Sequence, residues 1–261
     1  MKRLLLMMVL AVLAAGVAGC ASMDQASKQR QVASMLAFLF PGAAEPPAAS
    51  DAVAVLNVPF RIGVAFVPDN ADPTFRLSET DRLKLAGRVR DAFSGYPFVR
   101  EIVTVPSLYL EPGGGFVNLD RIGALLQVDV IALVSYDQVQ HADASGWSFL
   151  YWTGIGAYVI EGDRYDVLTA LETAVFDIRS RRLLMRAAGT SNIKGSATMI
   201  GFAARSREAR LASFERAVEQ MIGNLHGEVK SFRERAPTDP KVKLVLPPGY
   251  DPKGARGAAP R

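Results

Sequence analysis

The chain has one cysteine, Cys20, in 261 residues. A disulfide within one copy is therefore excluded, as is a thiolate metal centre, which needs several cysteines at fixed spacing. Histidine is nearly as scarce. His141 and His226 are the only two, and neither has a partner at ligand spacing, so no zinc site is expected. Charge of one sign is not in large excess: the formal net charge is +4 and the pI about 9.3. That is a modest surplus of bases, not a stripe for nucleic acid, and no nucleic-acid partner is expected. No G-x-S-x-G elbow occurs; Ser148 and Ser191 lack its flanking glycines.

What is present begins at the first residue. Met1-Lys2-Arg3 is a positive n-region, Leu4 to Ala15 is an unbroken apolar run, and Val17-Ala18-Gly19-Cys20 is a small-residue cleavage site. Leu4 to Gly19 is shorter than the roughly 20 residues a spanning helix needs. The tetrapeptide resembles the lipobox of bacterial lipoproteins, which implies cleavage between Gly19 and Cys20 and a diacylglycerol on the Cys20 sulfur. A single acyl chain binds bilayers marginally, while two or more hold stably. Ala21 follows, not Asp, and by resemblance to lipoproteins of diderm bacteria this implies sorting to the outer membrane, with the periplasmic face expected. Loss of Lys2 and Arg3 with the leader lowers the net charge by two. Cys20 to Arg261 is long enough for one domain with a real core.

The mature N-terminus, Ser22 to Phe40, reads as an amphipathic helix, with Val32, Met35, Leu36, Leu39 and Phe40 at helical spacing and Pro41 as its stop. It packs on the domain or lies near the membrane. Pro41 to Asp51 is Ala/Pro-rich and reads as a PPII linker, which at about 3.1 Å per residue holds the domain roughly 35 Å from the bilayer. The lipidated N-terminus and linker thus occupy residues 20–57.

Residues 58–235 read as a periplasmic α/β (α+β) domain: a mixed sheet with helices packed on it. Phe60 to Val67 is a strand. Ser78 with Asp81 caps a helix that turns Leu85, Ala86, Val89 and Phe93 inward. Phe98 to Val105 is the next strand, and Asn118 is expected to cap a helix with Ile122, Leu125 and Leu126 inward. Val128 to Tyr136 is continuously apolar, as a strand covered on both faces is. An antiparallel hairpin follows, Leu168 to Ile178 and Leu183 to Ala188, then a Gly/Ser-rich loop from Gly189 to Ser196. A long helix from Arg205 to Glu234 carries Leu211, Phe214, Val218, Met221, Leu225, Val229 and Phe232 as one stripe. Residues 236–261 read as a disordered tail.

Candidate chemistry is thin. His141 and Asp143 lie in what reads as a solvated polar loop. The run Glu111 to Gly115 lacks the P-loop Lys-Ser/Thr and reads as a flexible connection. Arg179, Arg181, Arg182 and Arg186 read as a solvated hairpin turn. Trp147 to Ile160 carries large apolar residues at both parities, as a doubly buried strand or an oligomer seam does. No catalytic residue, metal or cofactor is expected.

Pro97 to Ile122 (PFVREIVTVPSLYLEPGGGFVNLDRI), Val128 to Gln140 (VDVIALVSYDQVQ), YWTGIGAYVI, TAVFDIRSRRLL and GTSNIKGSAT together resemble the rhombotail lipoproteins. The resemblance covers roughly residues 20 to 235. These proteins are named for a C-terminal tail with a small-residue motif, a hydrophobic helix and a basic end, processed by a rhomboid-type protease. This chain departs there, because Lys241 to Arg261 has no apolar run beyond Val242 to Leu246. The family has no established activity, so no catalytic residue transfers. A looser likeness in the order of elements runs to the curli secretion channel and the penicillin-binding-protein activators, at fold level only. The expectation is a non-enzymatic envelope lipoprotein that contacts membrane through its lipid and binds a protein partner or its own copies. The alternative is an oligomeric outer-membrane channel or secretion component in which Trp147 to Ile160 and Lys194 to Ala204 insert as hairpins. An enzyme ranks third.

Overall fold

Residues Val130 to Val134 are buried at every position, and a computed structural model shows why. They lie in a six-stranded sheet with helices on both faces, the mixed α/β arrangement expected. The structure describes residues 27–42, 51–69, 75–144 and 161–250. In chain order the elements are β1 (Ser27–Ala33), α1 (Met35–Leu39), β2 (Ala54–Asn57), β3 (Phe60–Phe66), α2 (Glu79–Phe93), β4 (Val99–Thr104), α3 (Gly115–Leu126), β5 (Val130–Ala144), β6 (Asp163–Asp177), β7 (Arg182–Ala197), α4 (Phe202–Arg235) and β8 (Val242–Val245).

The sheet order is β4-β3-β5-β6-β7, with β1 also paired to β5. Strand β3 runs parallel to β4 (Ile62 opposite Ile102) and to β5 (Gly63 opposite Ile131). Strands β6 and β7 are joined by four residues, too few for a crossover, so they form the expected antiparallel hairpin. Ser78 starts α2 as predicted: its Oγ accepts from the Asp81 N–H at 3.1 Å. Leu85, Ala86, Val89 and Phe93 are all buried.

Helices α2 and α4 share one face of the sheet. Arg88 pairs with Glu215 at 3.0 Å, and Phe214 meets the Tyr136 ring edge-on at 5.1 Å. Helix α3 takes the other face, with Phe116 edge-on to Phe176 at 5.7 Å. Thr169, which bonds to Ser213 of α4, stands an odd number of residues from Phe176, so alternation places the two on opposite faces. The predicted stripe of α4 is buried from Phe214 to Phe232, with Leu211 half-buried.

Contacts divide the chain into two compact units. The larger holds Arg30–Gln138, Leu168–Ser191 and Leu211–Arg261, and the smaller holds the start of β1, Val139–Val167 and Asn192–Arg210. Strands β5, β6 and β7 and helix α4 contribute residues to both.

Several expectations need correction. Ser22 to Phe40 is not one helix: Ser27–Ala33 is a strand and only Met35–Leu39 is helical, capped by Ser34. Gln31 and Ala33 are buried while Arg30 is exposed, a period of two and not 3.6. The ordered chain therefore starts well before Val58. Pro41 to Asp51 connects α1 to β2, both inside the larger unit, so it does not hold a domain away from an anchor. Asn118 lies within α3, where it accepts from the Glu111 N–H and donates to the Tyr109 carbonyl, both at 3.1 Å. Leu125 of that helix is exposed. Gly189 to Ser196 is not a loop but the outer half of β7. The tail is not featureless, because Val242–Val245 pairs in parallel with Ala54–Asn57. Residues 251–261 lie outside the described residues.

Candidate functional site

The order β4-β3-β5 means that the chain leaves β3 to one side and returns on the other. In open α/β sheets the crevice beyond the carboxyl ends of the strands at such a reversal is where ligands bind. Here that crevice receives the chain's own N-terminal segment. The last β3–β5 link is the Val67 N–H to the Val134 carbonyl, at 3.0 Å. Just beyond it β1 takes over the edge of β5: Arg30 Nε donates to Asp137 at 2.9 Å, and Gln31 Nε2 donates to Gln138 Oε1 at 2.7 Å.

The second bond opens a buried polar chain. Gln138 Nε2 donates to Thr169 Oγ1 at 2.7 Å, and Thr169 Oγ1 donates to Ser213 Oγ at 2.7 Å. Four elements, β1, β5, β6 and α4, are thereby keyed by buried side chains. Since an unsatisfied buried polar group costs about 1–3 kcal/mol, a one-residue slip of β1 is disfavoured.

Helix α1 then folds over the loop before α3, and the glycines there acquire a reason. Gly113 (φ +67°) and Gly115 (φ +57°) hold left-handed backbone. A Cβ on Gly113 would meet Pro41 Cβ at 3.0 Å, and one on Gly115 would meet the Leu39 carbonyl at 3.0 Å. The run Glu111 to Gly115 is thus not a flexible connection. It is a seat for α1, closed by Phe40 against Phe116 at 6.0 Å. An open concavity of about 370 Å³ remains between Arg30, Val32, Phe38, Pro68 and Pro112.

Behind it, at the end of β3, Asp69 is buried, with its side chain 1 % exposed. Its carboxylate pairs with Arg82, with Arg76 at 3.0 Å and with the Tyr136 hydroxyl. Burial first, then the bond to Asp69, push the Tyr136 phenol far above its ordinary pKa. Tyr136 therefore acts as a fixed donor, and the cluster ties β3, α2 and β5 together.

Gly19 and Cys20 lie outside the described residues, as do Ser148 and Trp147 to Ile160. His141 and Asp143 are exposed on β5, not in a loop, and no hydrogen bond joins them among the described residues. His226 is half-buried: its ring stacks on Phe93 at 4.3 Å and its Nδ1 meets the Tyr96 hydroxyl at 2.7 Å. The arginines of the β6–β7 turn do not pool their charge. Arg181 faces Asp120 at 3.6 Å, Arg182 donates to the Ala52 carbonyl at 3.3 Å, and Arg186 faces Glu172 at 3.8 Å. Lys194 to Ala204 is not a hairpin, since its first residues end β7 and its last begin α4. Among the described residues no cluster of His, Cys, Asp and Glu is set to hold a metal, and no helix is long and apolar enough to cross a membrane.

The polar chain and the Asp69 cluster were not foreseen. A signal for the first existed in YDQVQ (Tyr136 to Gln140), where glutamines recur at alternate positions of an apolar strand, and again in KQRQ (Lys28 to Gln31).

No family model matches the chain, and no curated protein matches its sequence. Among solved structures it is similar to a DUF330-family protein from Xanthomonas campestris, at 11% identity over 74% of this chain and 94% of that one, TM-score 0.33. It is also similar to the PelC dodecamer from Paraburkholderia phytofirmans (9%, 74% and 99%, TM-score 0.24). A third is a putative neuraminyllactose-binding hemagglutinin homolog from Helicobacter pylori (8%, 77% and 96%, TM-score 0.37). At these scores none of the three carries an argument about this chain.

Proposed function

We propose that this chain is a lipid-anchored protein of the bacterial envelope, held through a diacylglyceryl thioether at Cys20, as the rhombotail resemblance implies. Its α/β fold serves as a binding module for a protein partner or for further copies of itself, without catalysis. One observation carries the reading. Strand β1 begins at Ser27, soon after Cys20, and is locked into the sheet by the Gln31–Gln138–Thr169–Ser213 chain. Strand β1, which starts seven residues after Cys20, is part of the sheet, so on this reading a pull on the anchor is passed to the sheet.

The test pairs membrane fractionation of Cys20→Ser with affinity capture from native membranes. Release of the variant from membranes, and recovery of a defined partner or of further copies by the native protein, support the proposal. A variant that fractionates as before contradicts the anchor. A reproducible turnover of substrate by the purified protein contradicts the non-catalytic role.

A further inference from the structure

Between the long strand β7 and the long helix α4 the chain reverses in a tight turn whose tip is apolar. Met199 is 56 % and Ile200 55 % exposed, although both are large hydrophobic residues. The turn is held from both sides. Thr198 Oγ1 accepts from the Gly201 N–H at 3.1 Å, and the Phe202 ring packs edge-on against Tyr165 at 6.1 Å. Between the fixed Thr198 and Phe202, Met199 and Ile200 stand exposed. The first turns of α4 follow with Arg205 and Arg207, both exposed, and no ion pair holds either among the described residues. Glu208 is the acidic residue beside them.

We infer that this turn docks on the lipid surface, with Met199 and Ile200 entering the headgroup region and Arg205 and Arg207 meeting anionic headgroups. The inference rests on lipidation of Cys20. The length of chain between lipid and fold then names the occupant. Residues 21–26, even fully extended, let Ser27 stand at most about 25 Å from the Cys20 backbone. The start of β1 and the Thr198–Phe202 turn belong to the same compact unit. That unit is therefore held near the bilayer whatever the tether does. An exposed apolar pair flanked by cations is the composition that interfacial contacts use.

An environment-sensitive dye tests this on the full-length lipidated chain. Because acylation consumes Cys20, a cysteine introduced at Ile200 is the only free thiol. Ile200→Cys and, as reference, Leu125→Cys are each labelled with NBD. The labelled chains are reconstituted in vesicles of phosphatidylethanolamine with phosphatidylglycerol, with or without nitroxide-bearing lipid. The expected result is blue-shifted emission at 200, quenched severalfold more by the nitroxide lipid than at 125. Arg205→Glu with Arg207→Glu should weaken that quenching while the chain still floats with vesicles. Water-like emission at 200 in a chain that floats would overturn the docking and leave the anchor standing. A blue shift without lipid quenching would overturn it in favour of a protein seam. A chain that does not float would overturn the anchor, and the docking with it.

Discussion

The backbone N–H of Thr190 donates to the Gln220 side chain at 2.6 Å, so helix α4 covers the outer edge of strand β7. Asn224 donates to the Ala188 carbonyl at 2.7 Å, and Arg235 donates to the Leu184 carbonyl at 2.8 Å. These strand residues are all even-numbered, so they expose their backbone groups on the same edge. An edge with unpaired groups is a template for a further strand, and α4 occupies it with side chains. Gln220→Ala with Asn224→Ala should lower stability by about 1–3 kcal/mol. It should also make association concentration-dependent. Denaturant titration and light scattering read the two effects, and an unchanged, monodisperse double variant would contradict the edge role.

Two glycines should respond oppositely to alanine. A Cβ on Gly189 would lie 2.1 Å from the Ala217 carbonyl and 2.6 Å from the Met221 nitrogen. Helix α4 would have to move, and Gly189→Ala should cost several kcal/mol, in the range of severe core changes. Gly223, inside α4, meets nothing within 4 Å, so Gly223→Ala should gain up to about 1 kcal/mol of helix propensity. Thermal melting compares them, and shifts of the same sign would contradict the packing described.

Strand β1 should loosen when its polar lock is cut. Gln31→Ala leaves Gln138 without its donor in a buried site. Amide exchange across Ser27–Ala33 should rise by about tenfold or more, consistent with the loss of 1–3 kcal/mol. Exchange in β4, far from the chain of bonds, should be unchanged. Equal protection of β1 in variant and parent would contradict the lock.

How much of this was legible in the sequence depended on whether local pattern and tertiary setting agreed. Ser78 and the inward face of α2 follow from capping and a 3.6-residue period, and both hold. The apolar run at Val130 to Val134 reads as doubly covered because it is. Where long-range pairing decides, local pattern misleads. Ser27–Ala33 becomes a strand because the edge of β5 beyond Val134 needs a partner, and the alternating glutamines of KQRQ are the one local sign of it. Val242–Val245 becomes ordered because Ala54–Asn57, far away in sequence, supplies its ladder. Gly189 looks like a loop former, yet it is there because a helix backbone passes too close for a side chain. Asp69 gave no signal, since Arg82 of α2 and Tyr136 of β5 reach it from separate elements.

Stability should fall in mild acid through His226. Burial holds its imidazole below its ordinary value of 6.5, against Phe93 and the Tyr96 hydroxyl. The unfolded chain then binds the proton more readily than the folded one. The contribution is complete above about pH 6.5 and is lost as pH falls through the lowered folded pKa. His226→Gln should flatten that part of the stability profile between neutral pH and pH 5, read by denaturant midpoints. A variant as acid-sensitive as the parent over that range would contradict the assignment.

Lipidation of Cys20 is read from the mass of the N-terminal peptide of the protein purified from its native membrane. The peptide should begin at Cys20 and carry the diacylglyceryl mass on sulfur, with a further acyl chain on the new amine. A peptide that begins elsewhere, or a Cys20 with a bare thiol, would contradict the anchor.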